Sequence, residues 1–357
     1  VMACVKHFAL YGAGEAGRDY NPVDMSKIKM FQYYLPPYKA ALDAGAGSIM
    51  TSFNEINGVP ASGDPWLLNE LLRNQWGYEG LVVSDYTSLN ELKEHGVAKD
   101  EVEVAAMTLK SSVDMDMVGE VFLNNLKKLT DENKISVAEI DKACRRILVT
   151  KYKLGLFENP YKYADQKRSD KVFKDVAFRN AARDIARKSM VLLKNQKGVL
   201  PLKKTGSIAL IGPLAKNKRD MIGSWSAAGD WKQAISVDQG IKNVAGNAVT
   251  INYAKGANFT NNKLIIDKLN AHGGELEIDT RSPEAMIQEA VATANKSDVV
   301  VAVLGESQGM SGEAASRSDI TNSTWQSAGP VKSLESYWKA NSFGFNEWQT
   351  SCHHLGK

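Results

Sequence analysis

The stretch Gly80–Asp85, which reads GLVVSD, carries the pattern that decides the fold. Its apolar run of one leucine and two valines follows a glycine and ends on a serine and an aspartate. A short, continuous apolar run of this kind is typical of a strand buried on both faces of a parallel sheet. Asp85 stands directly after that strand, which makes it a candidate nucleophile, base or metal ligand. The alternative is that Asp85 caps the helix predicted to follow it.

The same arrangement occurs twice more, nearer the N-terminus of the chain. Residues 1–8, VMACVKHF, and residues 46–53, AGSIMTSF, are strand-like runs that also end on polar side chains. The polar residues are Lys6 and His7 in the first run and residues 52–54 in the second. Because the carboxyl ends of parallel strands meet at one edge of a sheet, we expect these residues to lie near the aspartate of the first stretch.

Helical patterns separate the strand-like runs of residues 1–160. The predicted helices cover residues 27–45, broken at Pro36 and Pro37, and residues 66–77, 101–112 and 137–157, with a short strand at 113–117. This alternation of strand and helix predicts an α/β fold with a parallel sheet, either a barrel or an open sheet. With only about four strand–helix units, a barrel of eight would be roughly half complete.

A second α/β region follows a polar segment. It contains a predicted helix at residues 179–193, a strand at 207–213, a helix at 282–298 and a strand at 299–306. The sequence therefore predicts a partial barrel domain over residues 1–160, a linker over 161–178 and a second domain over 179–320. Residues 321–357 have little regular period, and we treat them separately below.

The composition excludes several classes of protein. Among 357 residues, 44 Lys and Arg nearly balance 41 Asp and Glu, so no broad charge favours nucleic acid or an anionic membrane surface. The longest strongly apolar runs, such as VVVAVL at residues 299–304, are too short to span a bilayer. The three cysteines, Cys4, Cys144 and Cys352, have neither metal-ligand spacing nor the pattern of a disulfide framework.

The glycines after the first strand raise a competing hypothesis. Gly12, Gly14 and Gly17 have the G-x-G-x-x-G spacing of a dinucleotide-binding turn. That turn must open a helix, whereas residues 18–26, RDYNPVDMS, are rich in turn formers, and no acidic residue ends a strand at the expected offset. The pattern therefore favours a glycine-rich loop. A nucleotide-dependent oxidoreductase stays as an alternative that NAD binding would support.

Nine motifs in a fixed order carry a family resemblance. They are KHF (6–8), LPPYKAALDAGAGSIMTSFNEINGVP (35–60), LLRNQWGYEGLVVSDY (71–86), VDMDM (113–117), LGLFENPY (154–161), ARKSMVLLKN (186–195) with LPL (200–202), ALIGP (209–213), GSWS (223–226) and LGESQGMSGEAASRSDI (304–320). From Val1 to about Ile320, this set resembles the β-glucosidases of glycoside hydrolase family 3, especially the bacterial periplasmic type. The resemblance implies the C-terminal part of a (β/α)8-type barrel followed by a partial α/β sandwich domain, with the active site between them.

The resemblance also implies roles for individual residues. Asp85 matches the catalytic nucleophile and Glu313 the acid/base, with Glu306 as a rival that we expect to anchor the loop instead. The implied substrate-binding residues are Lys6, His7, Phe53, Tyr86 and Trp225. The family usually has Trp where Tyr86 stands. Read from the residues alone, His7 and Trp225 fit core packing as well as a sugar contact.

The implied chemistry is retaining hydrolysis of terminal β-D-glucosyl residues from a β-glucoside or short oligosaccharide, with two carboxyl groups and no metal or organic cofactor. We expect the Lys6 cation to favour the charged form of Asp85. A β-xylosidase or another family specificity is the near alternative, and a catalytically inactive carbohydrate-binding protein is the distant one. The β-N-acetylglucosaminidase branch typically carries KHFPGHG, and Tyr11 stands where its second His would be, which disfavours that branch.

The resemblance stops near Ile320, and the residues that follow are rich in Trp, Ser and His. We hypothesise a frameshift at about residues 320–323, which the nucleotide sequence would test, and expect residues 321–357 to be poorly ordered. The first barrel strands and any signal peptide are expected to lie upstream of Val1. We therefore expect residues 1–357 alone to hydrolyse p-nitrophenyl β-glucoside negligibly and the repaired full-length protein to be active. The resemblance implies a periplasmic or secreted location.

Overall fold

A computed structural model describes residues 2–195, 198–227, 229–271 and 276–310, together with Gly312. The hypothesis of an out-of-frame segment at residues 321–357 lies outside these residues. Contacts between residues divide the chain into two compact units, Val1–Lys188 and Ser189–Lys357, and each is described by itself. The domain boundaries expected from the sequence, at residues 160 and 178, stay predictions.

Unit 1 is built on a parallel sheet. Strands β1 (Cys4–Phe8), β2 (Ser48–Thr51) and β5 (Leu81–Val83) lie side by side in that order, with a short hairpin of β3 (Glu55–Ile56) and β4 (Val59–Pro60) between β2 and β5 in sequence. In the β2–β5 register, Ile49 stands opposite Val82. Met115 adds a single parallel bridge to Val83, in the segment where the sequence predicts a fourth strand. This parallel arrangement confirms the predicted α/β fold.

The helices of unit 1 follow the strands. Their bounds are Lys27–Lys29 continuing as a π-helical segment Met30–Tyr34, Pro36–Asp43, Trp66–Gln75 (π-helical), Ser88–Glu91, Glu101–Lys110, Val121–Asp131, Val137–Lys153, Gln166–Lys174 and Val176–Ser189. The predicted break at the proline pair is present, because a new helix begins at Pro36. Every helix predicted for residues 1–160 has a counterpart among these elements, whereas the strand predicted at residues 113–117 is present only as the single bridge at Met115.

Two apolar clusters form the core of unit 1. In the first, the inward face of helix Trp66–Gln75 buries four leucines at positions 67, 68, 71 and 72 under the sheet residues Ile49 and Val82. A fully buried leucine stabilises the fold by about 1.5–3 kcal/mol relative to an exposed one, so this face holds the helix to the sheet. The second cluster joins helices Glu101–Lys110 and Val121–Asp131.

Helix Val121–Asp131 was not predicted from the sequence. Its N-cap residue, Glu120, has a left-handed backbone and no capping side chain. The cap comes instead from Asp116, whose Oδ2 accepts hydrogen bonds from the N–H groups of Val121 and Phe122. A cap supplied from outside the usual position leaves no start signal next to the helix.

Unit 2 contains a second parallel sheet, in the order β7 (Val249–Ala254), β6 (Gly206–Ile211) and β8 (Val299–Ala302). Its helices are Val237–Ala245, Lys263–Ala271 and Pro283–Asn295. Alternate residues of β6 enter two different apolar clusters, Ala209 and Ile211 on one face and Ile208 and Leu210 on the other. Since successive strand residues point to opposite faces, β6 is covered on both sides, as a central parallel strand should be.

The segment from Gln166 to Leu193 contributes little to these cores. Neither of its two helices buries a residue, and Met190 and Val191, directly after the second helix, are 75% and 78% exposed. Among the described residues, every helix is too short or too polar to cross a membrane.

Candidate active site

The carboxyl ends of β1, β2 and β5 lie at one edge of the sheet of unit 1, and Asp85 follows β5 at this edge. Ser84, which lies between the end of β5 and Asp85, makes two hydrogen bonds. Its N–H donates to the Met115 carbonyl, and its Oγ accepts from the Met117 N–H at 2.8 Å. These bonds tie the strand end to residues 115–117. Asp85 is consequently held in place and only 8% exposed.

The two carboxylate oxygens of Asp85 have different surroundings. Oδ1 accepts a hydrogen bond from the Tyr86 N–H at 2.7 Å. Oδ2 lies 3.3 Å from Nε2 of His7, yet it accepts no well-aligned hydrogen bond from the described residues. The His7 contact is therefore a close approach without a hydrogen bond, and Oδ2 itself is buried. The Asp85 side chain accepts a hydrogen bond from the N–H of the next residue, and helix Ser88–Glu91 has no side-chain cap. Asp85 therefore does not cap the helix that follows it.

His7 is the residue that the structure brings to Asp85. Its side chain is 26% exposed, so it is neither a core residue nor a free surface group. Lys6 is exposed, and no ion pair joins it to Asp85 in the described part of the chain. Lys6 therefore does not make the close contact with Asp85 that His7 makes. The expected influence of the Lys6 cation on Asp85 stays a prediction.

Phe53 belongs to an aromatic cluster with Tyr11 and Tyr20, neither of which was among the expected sugar contacts. The Phe53 ring meets Tyr20 edge-on at 4.8 Å and lies 6.3 Å from Tyr11. Tyr11 in turn meets His7 edge-on at 5.0 Å. Phe53 is 8% exposed, so it faces this cluster more than solvent. The signal for the two tyrosines was their place in the glycine-rich stretch after β1.

That glycine-rich stretch is a loop. It forms two short 3-10 turns, Tyr11–Ala13 and Glu15–Gly17, and no helix begins at its last glycine. The structure thus lacks the helix N-terminus on which a dinucleotide site depends.

Tyr86 and Trp225 are the exposed aromatic residues among the expected sugar contacts. Tyr86 stands beside Asp85 and is 58% exposed, and Trp225, in unit 2, is 71% exposed. This exposure leaves the core-packing alternative for Trp225 without support. Glu313 lies outside the described residues. Its neighbour Gly312 packs on the segment of residues 220–226, here called the Trp225 loop. A Cβ at Gly312 would lie 3.3 Å from Ser224 in that segment.

The loop after β8 is tied to the same Trp225 loop. Asp220 Oδ1 accepts a hydrogen bond from the Gln308 N–H at 2.6 Å. Glu306, the rival carboxylate, is partly buried two residues before this tether. Its place beside the tether is compatible with the loop-anchoring role expected from the sequence.

A buried ion cluster that was not predicted from the sequence supports β5. Asp114, almost fully buried, pairs with Arg73 at 2.7 Å and with Arg146 at 2.8 Å. Its Oδ2 also accepts the Val82 N–H of β5 at 2.9 Å. Burial raises the pKa of Asp114 and lowers that of Arg73, because both charges lose water. The cluster holds the strand that leads to Asp85.

Buried hydroxyl groups complete this edge of the sheet. Thr51 Oγ1 lies 2.7 Å from Ser62 Oγ, which lies 3.4 Å from Ser88 Oγ, and all three residues are at most 2% exposed. Within the described ranges, no three His, Cys, Asp or Glu side chains are grouped to hold a metal ion. The groups that the structure places at the site are therefore a carboxylate, an imidazole, aromatic rings and hydroxyls.

Two family models match most of the chain. Residues 1–150 match the model described as the glycosyl hydrolase family 3 N terminal domain, and residues 190–335 match the glycosyl hydrolase family 3 C-terminal domain. Both models come from one family, and they match in the order that the motifs indicate.

Individual proteins agree with these matches. The chain is 50% identical to a periplasmic beta-glucosidase of Salmonella typhimurium, over 90% of this chain and 42% of the relative. It is 35% identical to a beta-xylosidase of Formosa agariphila, over 90% of this chain and 43% of the relative. A crystal structure of beta-glucosidase from Listeria innocua in complex with isofagomine superposes with a TM-score of 0.80 at 35% identity, covering 94% of this chain and 43% of that one.

The chain thus spans less than half the length of these relatives. Their likeness covers both units and confirms the predicted combination of a partial barrel and a partial α/β sandwich. The chain belongs to glycosyl hydrolase family 3.

Proposed function

We propose that this protein is a retaining, exo-acting β-glucosidase that removes terminal non-reducing β-D-glucosyl residues. The observation that carries the proposal is the state of Asp85, a nearly buried carboxylate with one oxygen hydrogen-bonded and the other 3.3 Å from His7 and without a hydrogen bond from the described residues. The 50% identity to a periplasmic beta-glucosidase supports glucose as the sugar.

In the proposed reaction, Oδ2 of Asp85 attacks the anomeric carbon of the sugar. Glu313 gives its proton to the glycosidic oxygen, the bond to the aglycone breaks, and a covalent glycosyl–Asp85 ester forms. Glu313 then takes a proton from water, which attacks the same carbon and releases glucose and the free carboxylate. Retention requires the two carboxyl groups to stand about 5–5.5 Å apart.

The surroundings of Asp85 suit a nucleophile for two reasons. The Tyr86 N–H and the His7 imidazole both face the carboxylate, so negative charge there meets positive partial charge. The strand end that carries it is fixed by Ser84 and by the ion cluster, so the attacking oxygen keeps its position.

Substrate contacts are assigned in the same proposal. Lys6 and His7 hold sugar hydroxyls, because an ammonium and an imidazole are donors suited to them. Tyr86 and Trp225 offer exposed rings to the faces of sugars, and Phe53 stiffens the apolar wall beside His7. The proposed location is periplasmic or otherwise outside the cytoplasm, on the likeness to the periplasmic relative.

Covalent trapping tests the proposal. The complete gene product is incubated with 2,4-dinitrophenyl 2-deoxy-2-fluoro-β-D-glucoside, which forms the ester quickly and hydrolyses slowly, and is then digested for mass spectrometry. We expect the added mass on the peptide that contains Asp85. Asp43→Ala, an exposed surface variant, is the control and should label equally. Labelling of another carboxylate, or none, would overturn the proposal.

A β-xylosidase is the second candidate, and the 35% identity to the Formosa enzyme favours it. Xylose differs from glucose by lacking the hydroxymethyl group on C5. The ratio of kcat/KM for p-nitrophenyl β-D-glucoside and β-D-xyloside separates the two. We expect glucoside to be preferred, and a preference for xyloside would make the second candidate correct.

A further inference from the structure

His7 occupies an irregular point of its strand. The pairing of β1 with β2 shifts between Val5 and Phe8, and His7 lies inside this gap. Ordinary ladder pairing fixes the orientation of neighbouring strand residues. At His7, side chains from outside the strand contribute to holding it.

One of these side chains is Tyr38, which lies on helix Pro36–Asp43. Its hydroxyl donates to the His7 carbonyl oxygen at 2.5 Å, across 31 residues of sequence. Its ring meets Phe8 edge-on at 5.2 Å, which locks the tyrosine against the core. Burial raises the pKa of Tyr38, so the hydroxyl keeps the proton that it donates.

The second side chain is Tyr11, four residues after His7. Its ring meets the imidazole at 5.0 Å with an interplanar angle of 70°, the edge-to-face geometry that aromatic pairs prefer. Contacts with Tyr20 and Phe53 hold Tyr11 from its other sides. The backbone and the ring of His7 are therefore held by different residues.

We propose that Tyr38 and Tyr11 are positioning residues that aim the His7 imidazole at Oδ2 of Asp85. Tyr38 fixes the His7 backbone and Tyr11 fixes the ring plane, and together they keep Nε2 at 3.3 Å from the carboxylate. The proposal rests on the proposed function, because it concerns the geometry of the same site.

Tyr38→Phe in the complete gene product is the main test. It removes one hydroxyl and keeps the ring contact with Phe8. Because the hydrogen bond that holds the His7 backbone is lost, we expect kcat/KM for p-nitrophenyl β-D-glucoside to fall about threefold to tenfold. Tyr163→Phe is the matched control, because Tyr163 also donates to a backbone carbonyl, that of Leu154 at 3.0 Å, but is exposed. It should leave kcat/KM unchanged.

A double-mutant cycle separates positioning from general loss of structure. In a His7→Ala background, Tyr38→Phe should change kcat/KM less than about twofold, since the imidazole that Tyr38 positions through the backbone is gone. Tyr11→Leu should behave like Tyr38→Phe, whereas Tyr11→Phe, which keeps the ring, should stay near the wild type. Losses that add independently of His7 would overturn the proposal.

A spectroscopic measurement keeps this proposal distinguishable from the proposed function. The ring 15N resonances of His7 report its contacts whether or not the protein cleaves a glucoside. We expect them to move in Tyr38→Phe and to stay in place in Tyr163→Phe. Unchanged His7 resonances in Tyr38→Phe would overturn the positioning role. If the resonances shift in Tyr38→Phe but the wild-type protein does not cleave the glucoside, only the glucosidase assignment would be overturned.

Discussion

The two units place their expected catalytic groups on very different supports. In unit 1, Asp85 follows a strand that a buried ion cluster and the Ser84 hydroxyl hold in place. In unit 2, the loop after β8 is tied to the Trp225 loop by the bond between Asp220 and Gln308, and Trp225 itself is largely exposed. The difference matches two chemical demands. A nucleophile must keep one position, whereas an acid/base must change its protonation state and admit substrate and water.

The largest expected effect is at Asp85, the expected catalytic group of unit 1. Asp85→Ala removes the proposed nucleophile, so kcat should fall by about 10⁴-fold or more. Trp225→Ala removes an exposed ring from unit 2 and should cost about tenfold, mostly in KM. Steady-state kinetics with p-nitrophenyl β-D-glucoside measures both. Equal losses would mean that the two regions do not differ as proposed.

A second prediction concerns the support of β5. Asp114→Ala leaves the buried Arg73 guanidinium unpaired and frees the Val82 N–H, so unfolding free energy should fall by about 3–5 kcal/mol. The exposed network of unit 2 provides the contrast, since Arg281 bridges Asp279 and Glu289 at the surface. Arg281→Ala should have a much smaller effect, because water screens that network. Urea unfolding followed by circular dichroism measures both variants.

A third prediction sharpens the comparison at the loop after β8 in unit 2. Asp220→Ala breaks the tether to Gln308, and if Glu313 is the acid, the loss should depend on the leaving group. Hydrolysis of cellobiose, which needs protonation, should slow about tenfold, while 2,4-dinitrophenyl β-D-glucoside should be nearly unaffected. Asp230→Ala, which removes a local bond to the Lys232 N–H in the same region, is the control. A uniform loss on both substrates would argue against the link to the acid.

The smallest expected effect is at the N-terminal caps of two helices, one in each unit. Ser136 and Glu139 form a capping box in unit 1, whereas Ser282 caps its helix in unit 2 without an acidic partner. Ser136→Ala and Ser282→Ala should each cost about 1 kcal/mol at neutral pH.

Only the cap in unit 1 should depend on pH. Hydrogen bonds from the Ser136 backbone and hydroxyl lower the pKa of Glu139 below its ordinary 4.5. Because the folded-state pKa is depressed, the stabilisation is present above 4.5 and is lost as the pH falls through the lower folded-state value. The cost of Glu139→Gln should therefore shrink on acidification, whereas the cost of Ser282→Ala should stay constant. Thermal melts of both variants at several pH values measure these two costs.

Local patterns were enough to predict much of the fold. The apolar runs that end on polar residues located β1, β2 and β5, and the bridge at Met115 lies in the predicted fourth strand. Strand β7 was missed because VTINYA interleaves polar residues, as an edge strand that is only partly buried permits. Helix Val121–Asp131 was missed because its cap comes from Asp116.

The supports of the site were beyond sequence reasoning, for a physical reason. The Tyr38–His7 bond spans 31 residues and the Arg73–Asp114 pair spans 41, so neither leaves a local period or spacing. Asp85 and His7 were found because each stands at a strand end, a position that the sequence does mark. Glu313 stays a prediction, since it lies outside the described residues.

The bond from Tyr86 N–H to Asp85 has a consequence for the covalent intermediate. It makes the two oxygens inequivalent before any sugar arrives, since Oδ1 accepts a hydrogen bond and Oδ2 accepts none from the described residues. On attack through Oδ2, Oδ1 becomes the carbonyl oxygen of the ester and already has its donor. The side chain then need not rotate at any stage of the cycle, and the same amide would polarise the ester when water comes to cleave it.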